Sequence, residues 1–347
     1  NKCVFENCTF AISGTPAYGV IVPRGDLTMK DCNITYTSDS NKPVFLPEGD
    51  NHATLINTDV DISGAPSASV GLVAGVNNYY YNTYAKALNA AVDGDTVTLI
   101  DNIVVTGITD DKRPVIKKAI IFDGNGKTIS GDTTSYLLKV NTNAGNVEIR
   151  NLAILQNGSA AAMQVEAGAT ATIKNSMIRC TNTTPYGAVI VNGKMILEGG
   201  SSIIAEGTTT DGTKSVAIRM HTAGAEVVIN DGATITTVGN TFKANAASSS
   251  KITINGGTIT TDRRMWEAAS NSYTLIINGG TFISNHATDA LICVFGNKDQ
   301  NIHLNGGTFT AKKIIDTENA VKGLGGKITL NGKVIFEGPV DDSIVNT

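Results

Sequence analysis

The chain has 347 residues, a formal net charge of −4 and 17% charged residues, with neither sign gathered into blocks. That balance argues against a nucleic-acid partner, because nothing concentrates Lys and Arg against phosphates. No stretch approaches the roughly 20 apolar residues that span a bilayer as a helix, so no transmembrane segment is expected.

Along the chain one phrase returns twelve times: an alternating apolar run, a tight polar turn and a second apolar strand. The apolar residues just before each turn are Phe5, Met29, Leu55, Phe122, Ile149, Ile173, Leu197, Ile229, Ile254, Ile277, Leu304 and Leu330. Apart from a gap of 67 after Leu55, they lie 23 to 32 positions apart. A period in the twenties built from period-2 strands predicts a solenoid of stacked rungs. The matching inward residues after the turn are Phe10, Ile34, Val60, Ile129, Ile154, Ile178, Ile203, Ile235, Ile259, Phe282, Phe309 and Ile335.

In chain order, residues 1–75 supply three rungs, and the first residues already sit inside a repeat, as in a piece of a longer chain. Cys8 and Cys32 occupy one position in consecutive rungs and are predicted to stack as small buried thiols, with a disulfide between them as the alternative. In the gap, Tyr84, Ala85, Leu88, Ala91 and Val92 fall at helical spacing, with Asn82 or Thr83 as N-cap and Gly94 past the end. This predicts one amphipathic helix of about 10 residues. A strand from Thr96 to Ile100 and nine further rungs follow. Their Asn-Gly-Gly corners suit a backbone that must visit positive φ. Asn255, Asn278, Asn305 and Asn331 recur at this corner and predict a rung-to-rung hydrogen-bonded ladder.

The run YAKALNAAVDGDTVTLIDNIVVTG followed by IIFDGNGKTISG resembles the opening of right-handed parallel β-helix domains of the pectate-lyase-like superfamily. The resemblance implies an all-β, right-handed parallel β-helix solenoid with a short capping helix near residues 82–92. It further implies a division into a three-rung piece, 1–75, and a β-helix domain, 76–347, the alternative being one continuous stack in which the helix is an insertion.

The superfamily includes lyases, hydrolases, tailspikes, adhesins and inert stalks, so function must come from the side chains. The lyase motif R-x-P-x-x-R is missing. So is the hydrolase set N-x-D, D-D, G-H-G and R-I-K: Asp110-Asp111 precedes the stack and Asp341-Asp342 follows it. Glycosidic cleavage needs two facing carboxylates, for which Glu198, Glu206, Asp211, Glu226 and Asp231 are the outward acids to consider, with solvated acids as the plainer reading. No catalytic residue, metal site or cofactor is assigned. The candidate ligand-binding cluster is Arg263, Arg264, Trp266 and Glu267, where the lone Trp could offer a sugar platform beside charged groups or fold back over the core. Thr-x-Thr pairs such as Thr258 and Thr260 read as ordinary solvent-face β residues.

The expectation is an extracellular or cell-surface bacterial protein, resembling β-helical adhesin-like proteins, that displays loops such as 205–215 and 261–270. Its partners would be glycans or another cell surface, with the oligomeric state left open. A polysaccharide lyase or glycoside hydrolase, including a tailspike-type depolymerase, is the alternative.

Overall fold

A computed structural model describes residues 2–14, 21–37, 42–49, 51–65, 69–109, 112–181, 186–207, 215–244, 250–267, 273–293, 300–316 and 327–340. The chain is nearly all β, 50% strand and 2% helix, and forms a parallel β-solenoid of about 11 turns. Among the described residues no helix is long and apolar enough to cross a membrane. Two compact units divide it: Asn1–Ile103 with Ile120–Lys127, and Val104–Ala119 with Thr128–Thr347.

In the first unit, β1 (Lys2–Glu6), β3 (Asp26–Lys30) and β5 (Ala53–Ile56) pair in parallel, with Phe5, Met29 and Leu55 in register. After the corner, β2 (Thr9–Ile12), β4 (Asn33–Tyr36) and β6 (Asp59–Asp61) do the same with Phe10, Ile34 and Val60. Each corner turns on a residue at positive φ, Asn7, Asp31 or Asn57, types that tolerate that region better than most. Cys8 and Cys32 are free thiols at these corners, and Asn33 N–H reaches the Cys8 carbonyl from the next rung.

A hairpin then interrupts the parallel stack. β7 (Ala74–Val76) and β8 (Tyr79–Tyr81) pair antiparallel around Asn77-Asn78, both at positive φ, as a two-residue hairpin turn requires. β8 pairs with β5, and β7 with β9 (Thr96–Leu99), which continues in parallel to Ile121–Asp123. All of these pairings lie within the first unit. Between β8 and β9 the helix α1 (Tyr84–Ala90) starts at Thr83, whose side chain accepts the Lys86 N–H. It spans 7 residues and buries Ala87 and Leu88. Val92 lies outside it and is exposed, because Ala91 is already extended and the Asp95 carboxylate turns the chain by accepting the Val92 N–H.

In the second unit, each turn carries three strands. The column before the corner runs in register through Ile149, Ile173, Leu197, Ile229, Ile254, Ile277, Leu304 and Leu330. All but Leu330 are buried. Leu330 is 46% exposed because, among the described residues, no rung follows to cover it. The column after the corner runs through Ile129, Ile154, Ile178, Ile203, Ile235, Ile259, Phe282 and Phe309 to Phe336. Phe336 replaces the expected Ile335: the register shifts by one residue between Leu304 and Gly306, which turns Ile335 outward, 37% exposed.

The third row had no counterpart in the sequence reading. Nine strands of two or three residues, from Val115–Ile116 through Leu138–Val140 to Ile315–Asp316, form a separate parallel sheet. Its inward column is Leu138, Met163, Val189, Ile218, Phe242, Trp266, Ile292 and Ile315.

Candidate functional site

The predicted Asn ladder is present, and longer than expected. Asn255 donates to Asn230, Asn278 to Asn255 and Asn305 to Asn278, each at 2.8 Å, and Asn331 to Asn305 at 3.0 Å. Asn230 in turn donates to Glu198 Oε2 at 3.0 Å, so an acid considered for catalysis ends the ladder as its acceptor. Positive φ at these corners falls on a glycine, Gly232, Gly257, Gly280, Gly307 or Gly332, which leaves the Asn backbone out of the left-handed region.

The other acids are also engaged. Glu206 accepts Arg179 at 2.6 Å, Glu226 pairs with Lys194 at 3.1 Å, and Asp231 accepts its neighbour Gly232's N–H at 3.0 Å. Asp110, Asp111, Asp211, Asp341, Asp342 and the stretches 208–214 and 268–270 of the two display loops lie outside the described residues.

The cluster at Arg263 to Glu267 does not assemble as a sugar platform. Trp266 belongs to the inward column of the third sheet, is 0% exposed, and packs in tilted contacts against Tyr273 and Phe242, 4.1 and 6.2 Å between ring centroids. Of the two readings open to this Trp, packing over the core is the one its burial matches. Arg263 and Arg264 both bind Asp289, at 3.2 and 3.4 Å, and His286 lies 3.6 Å from the same carboxylate. Burial would raise the Asp289 pKa, but the Arg263 hydrogen bond and the Arg264 charge outweigh it and hold the carboxyl below its ordinary range. The side chain of Glu267 lies outside the described residues.

The third sheet instead presents a different set. Its outward positions Lys139, Gln164, Ile190, Arg219 and Lys243 stack in register on successive rungs. Immediately after these strands come Glu166, Asn192 and His221, each donating its backbone N–H to the rung before. Glu166 accepts Lys139 at 2.9 Å through Oε1 and Asn192 at 2.9 Å through Oε2. Burial pushes the Glu166 pKa up, yet the hydrogen bonds from Lys139 and Asn192 and the Lys139 and His221 charges lower it overall. For Lys139 burial acts downward and is outweighed by Glu166 and Tyr136, so its pKa is raised.

Two aromatic rings border this strip. Tyr136 packs against the Arg113 guanidinium, 4.0 Å from its ring centroid, with Lys139 at 5.7 Å. Tyr186, 48% exposed, lies with its ring 5.4 Å from Arg219. Gly187, at φ +78°, lets this segment sit close: a Cβ there would meet the Val216 carbonyl at 3.1 Å. The amide oxygens of Gln164 and Asn192 are buried and, among the described residues, accept no hydrogen bond. Buried acceptors of this kind call for a donor, and a hydroxyl-rich ligand supplies many.

Nothing in the sequence window around any one of these residues marks the strip, because residues on successive rungs lie more than twenty positions apart and meet only through register. Among the described residues no group of three or more His, Cys, Asp or Glu side chains is arranged to hold a metal ion. No family model, curated protein or solved structure matches the chain, so the solenoid and its polar, aromatic-edged strip define the class on their own terms.

Proposed function

We propose that this protein is an extracellular β-helical surface protein that binds glycans without cleaving them, through the outward strip of its third sheet. The observation that carries the reading is the pair of buried acceptors, Gln164 Oε1 and Asn192 Oδ1, on the same strip as Arg219, which lies 5.4 Å from the exposed ring of Tyr186. Sugar hydroxyls donate to such amides, while an exposed tyrosine face covers the apolar side of a pyranose. A stiff parallel stack keeps the backbone under these groups at a fixed spacing of about 4.8 Å per rung, so only side chains need turn to present the two amides.

The acid inventory of the strip supports binding over hydrolysis. Hydrolysis with general acid assistance needs a protonated carboxyl facing a second carboxylate. Glu166 is the one carboxylate among the described residues of the strip, and its two hydrogen bonds favour the ionised form. It therefore orients Lys139 and Asn192.

The test is a glycan array probed with the full chain, followed by calorimetry on the strongest hit for Gln164→Ala and Tyr186→Ala. Each variant is expected to lose about 1–3 kcal/mol of binding. Retention of affinity by both would refute the assignment, and release of reducing ends or unsaturated products from the bound glycan would refute the non-enzymatic part.

A further inference from the structure

The third rung of the first unit is covered unevenly. β8 lies along β5, whereas β6 is the last strand of its three-stranded sheet among the described residues. Parallel ladders alternate: Asp59 N–H bonds the Cys32 carbonyl of β4, so the next residue, Val60, directs its N–H and C=O to the opposite edge. On the inner side of that edge lies a cavity of about 360 Å³ whose apolar lining is Leu55, Val60, Val70, Leu72, Tyr80 and Ile100. On the outer side, Asp59 and Asp61 flank Val60 and are exposed. The Ser63 side chain and N–H hold the Asp61 carboxyl below its usual range, keeping it anionic.

Backbone groups, an apolar cavity and paired anions thus meet at one strand edge with the period of a β-strand. We propose that β6 takes up a short extended peptide of basic–apolar–basic pattern as a fourth parallel strand. In register, the apolar residue of the incoming strand stands over Val60 and fills the cavity, while its two neighbours lie beside Asp59 and Asp61. The lysine following the apolar residue donates its backbone N–H to the Val60 carbonyl, and the Val60 N–H bonds the carbonyl of the one preceding it. Small apolar ligands could enter the cavity but would leave the Val60 amide unpaired, and an acidic peptide would meet like charge on both flanks. This site is separate from the glycan strip and does not depend on it.

The test titrates a labelled octapeptide centred on Lys-Ile-Lys against the full chain by anisotropy, beside versions centred on Glu-Ile-Glu, on Lys-Ser-Lys, and on Lys-Ile-Lys N-methylated at both lysines. The parent peptide is expected to bind, with each altered peptide about tenfold weaker or more. Hydrogen exchange at the Val60 amide should slow on binding. Asp59→Asn with Asp61→Asn, two exposed changes, should weaken the parent about threefold per carboxylate and relieve the penalty on the acidic peptide. Absence of binding by the parent peptide would overturn the proposal. Equal binding of the N-methylated peptide with an unprotected Val60 amide would overturn it too, leaving an apolar ligand as the occupant of the cavity.

Discussion

The Asn ladder makes a graded prediction, because its members have different numbers of partners. Asn278 donates to Asn255 and accepts from Asn305, both at 2.8 Å, whereas Asn331 donates once, at 3.0 Å, to Asn305. Both side chains face solvent, so each bond falls near the low end of the net range, about 0.5 kcal/mol. Asn278→Ala is therefore expected to cost about 1 kcal/mol and Asn331→Ala about half of that. Asn278→Asp sharpens the case: the carboxylate still accepts from Asn305 but confronts the Asn255 carbonyl oxygen where a donor stood. Its protonation restores a donor, so the gap between this variant and the parent should narrow as the pH falls. Urea midpoints at constant m-value, taken for each variant against the parent at matched pH, measure these differences. Equal losses for Asn278→Ala and Asn331→Ala, or no loss for either, would show that the amides stack without contributing, and the reasoning would fail.

The Lys139–Glu166 pair predicts a pH window. Glu166 has a folded pKa below its ordinary 4.5, so its contribution is present above that value and disappears as the pH falls through the depressed one. Lys139 is raised above 10.5, so its contribution is complete below that value and is lost as the pH rises through the raised one. The stability difference between parent and Glu166→Gln should accordingly vanish in acid and persist through neutrality. Two glycines at φ +90° separate strain from contact: a Cβ on Gly94 meets nothing within 4 Å, whereas one on Gly257 meets the Ala233 carbonyl at 2.5 Å. Gly94→Ala should cost about 1–2 kcal/mol and Gly257→Ala clearly more, read from thermal or urea unfolding. Trp266 should fluoresce blue-shifted and resist iodide, and Trp266→Ala should cost about 3–5 kcal/mol from the cavity it leaves. Iodide quenching of the native protein would contradict the burial.

The two columns flanking each corner were legible because period-2 alternation and an Asn- or Gly-bearing turn recur together, and both signals report the same inward face. That logic breaks where a corner gains a residue. In the last rung, Val334, Ile335 and Phe336 are all apolar, so composition alone does not choose which parity faces the core. The shift opposite Asn305 makes the choice, bringing Phe336 over Phe309. Trp266 shows the same ambiguity on a strand of two residues, Trp266–Glu267, too short for alternation to reveal a direction. The hairpin at Asn77-Asn78 was missed for a different reason. Its strands are three residues each, and their tyrosines read as a change of character rather than as pairing partners.

The candidate strip illustrates a limit particular to solenoids. In a globular fold a site is often announced by a motif within one loop, but here neighbouring side chains are one full turn apart in sequence, and the turn length varies with every connecting segment. Lys139 faces Gln164 and Ile190 faces Arg219 only because the third-row strands pair in register. Register in that row is set by inward Leu138, Met163, Val189 and Ile218, which must stay stacked to keep water from the core. An insertion in a connecting loop therefore leaves the strip intact, while a one-residue slip within a third-row strand would bury its polar column and expose its apolar one. Site and core share one constraint, so a substitution such as Ile218→Asn should damage glycan affinity and stability together, whereas Gln164→Ala should separate them.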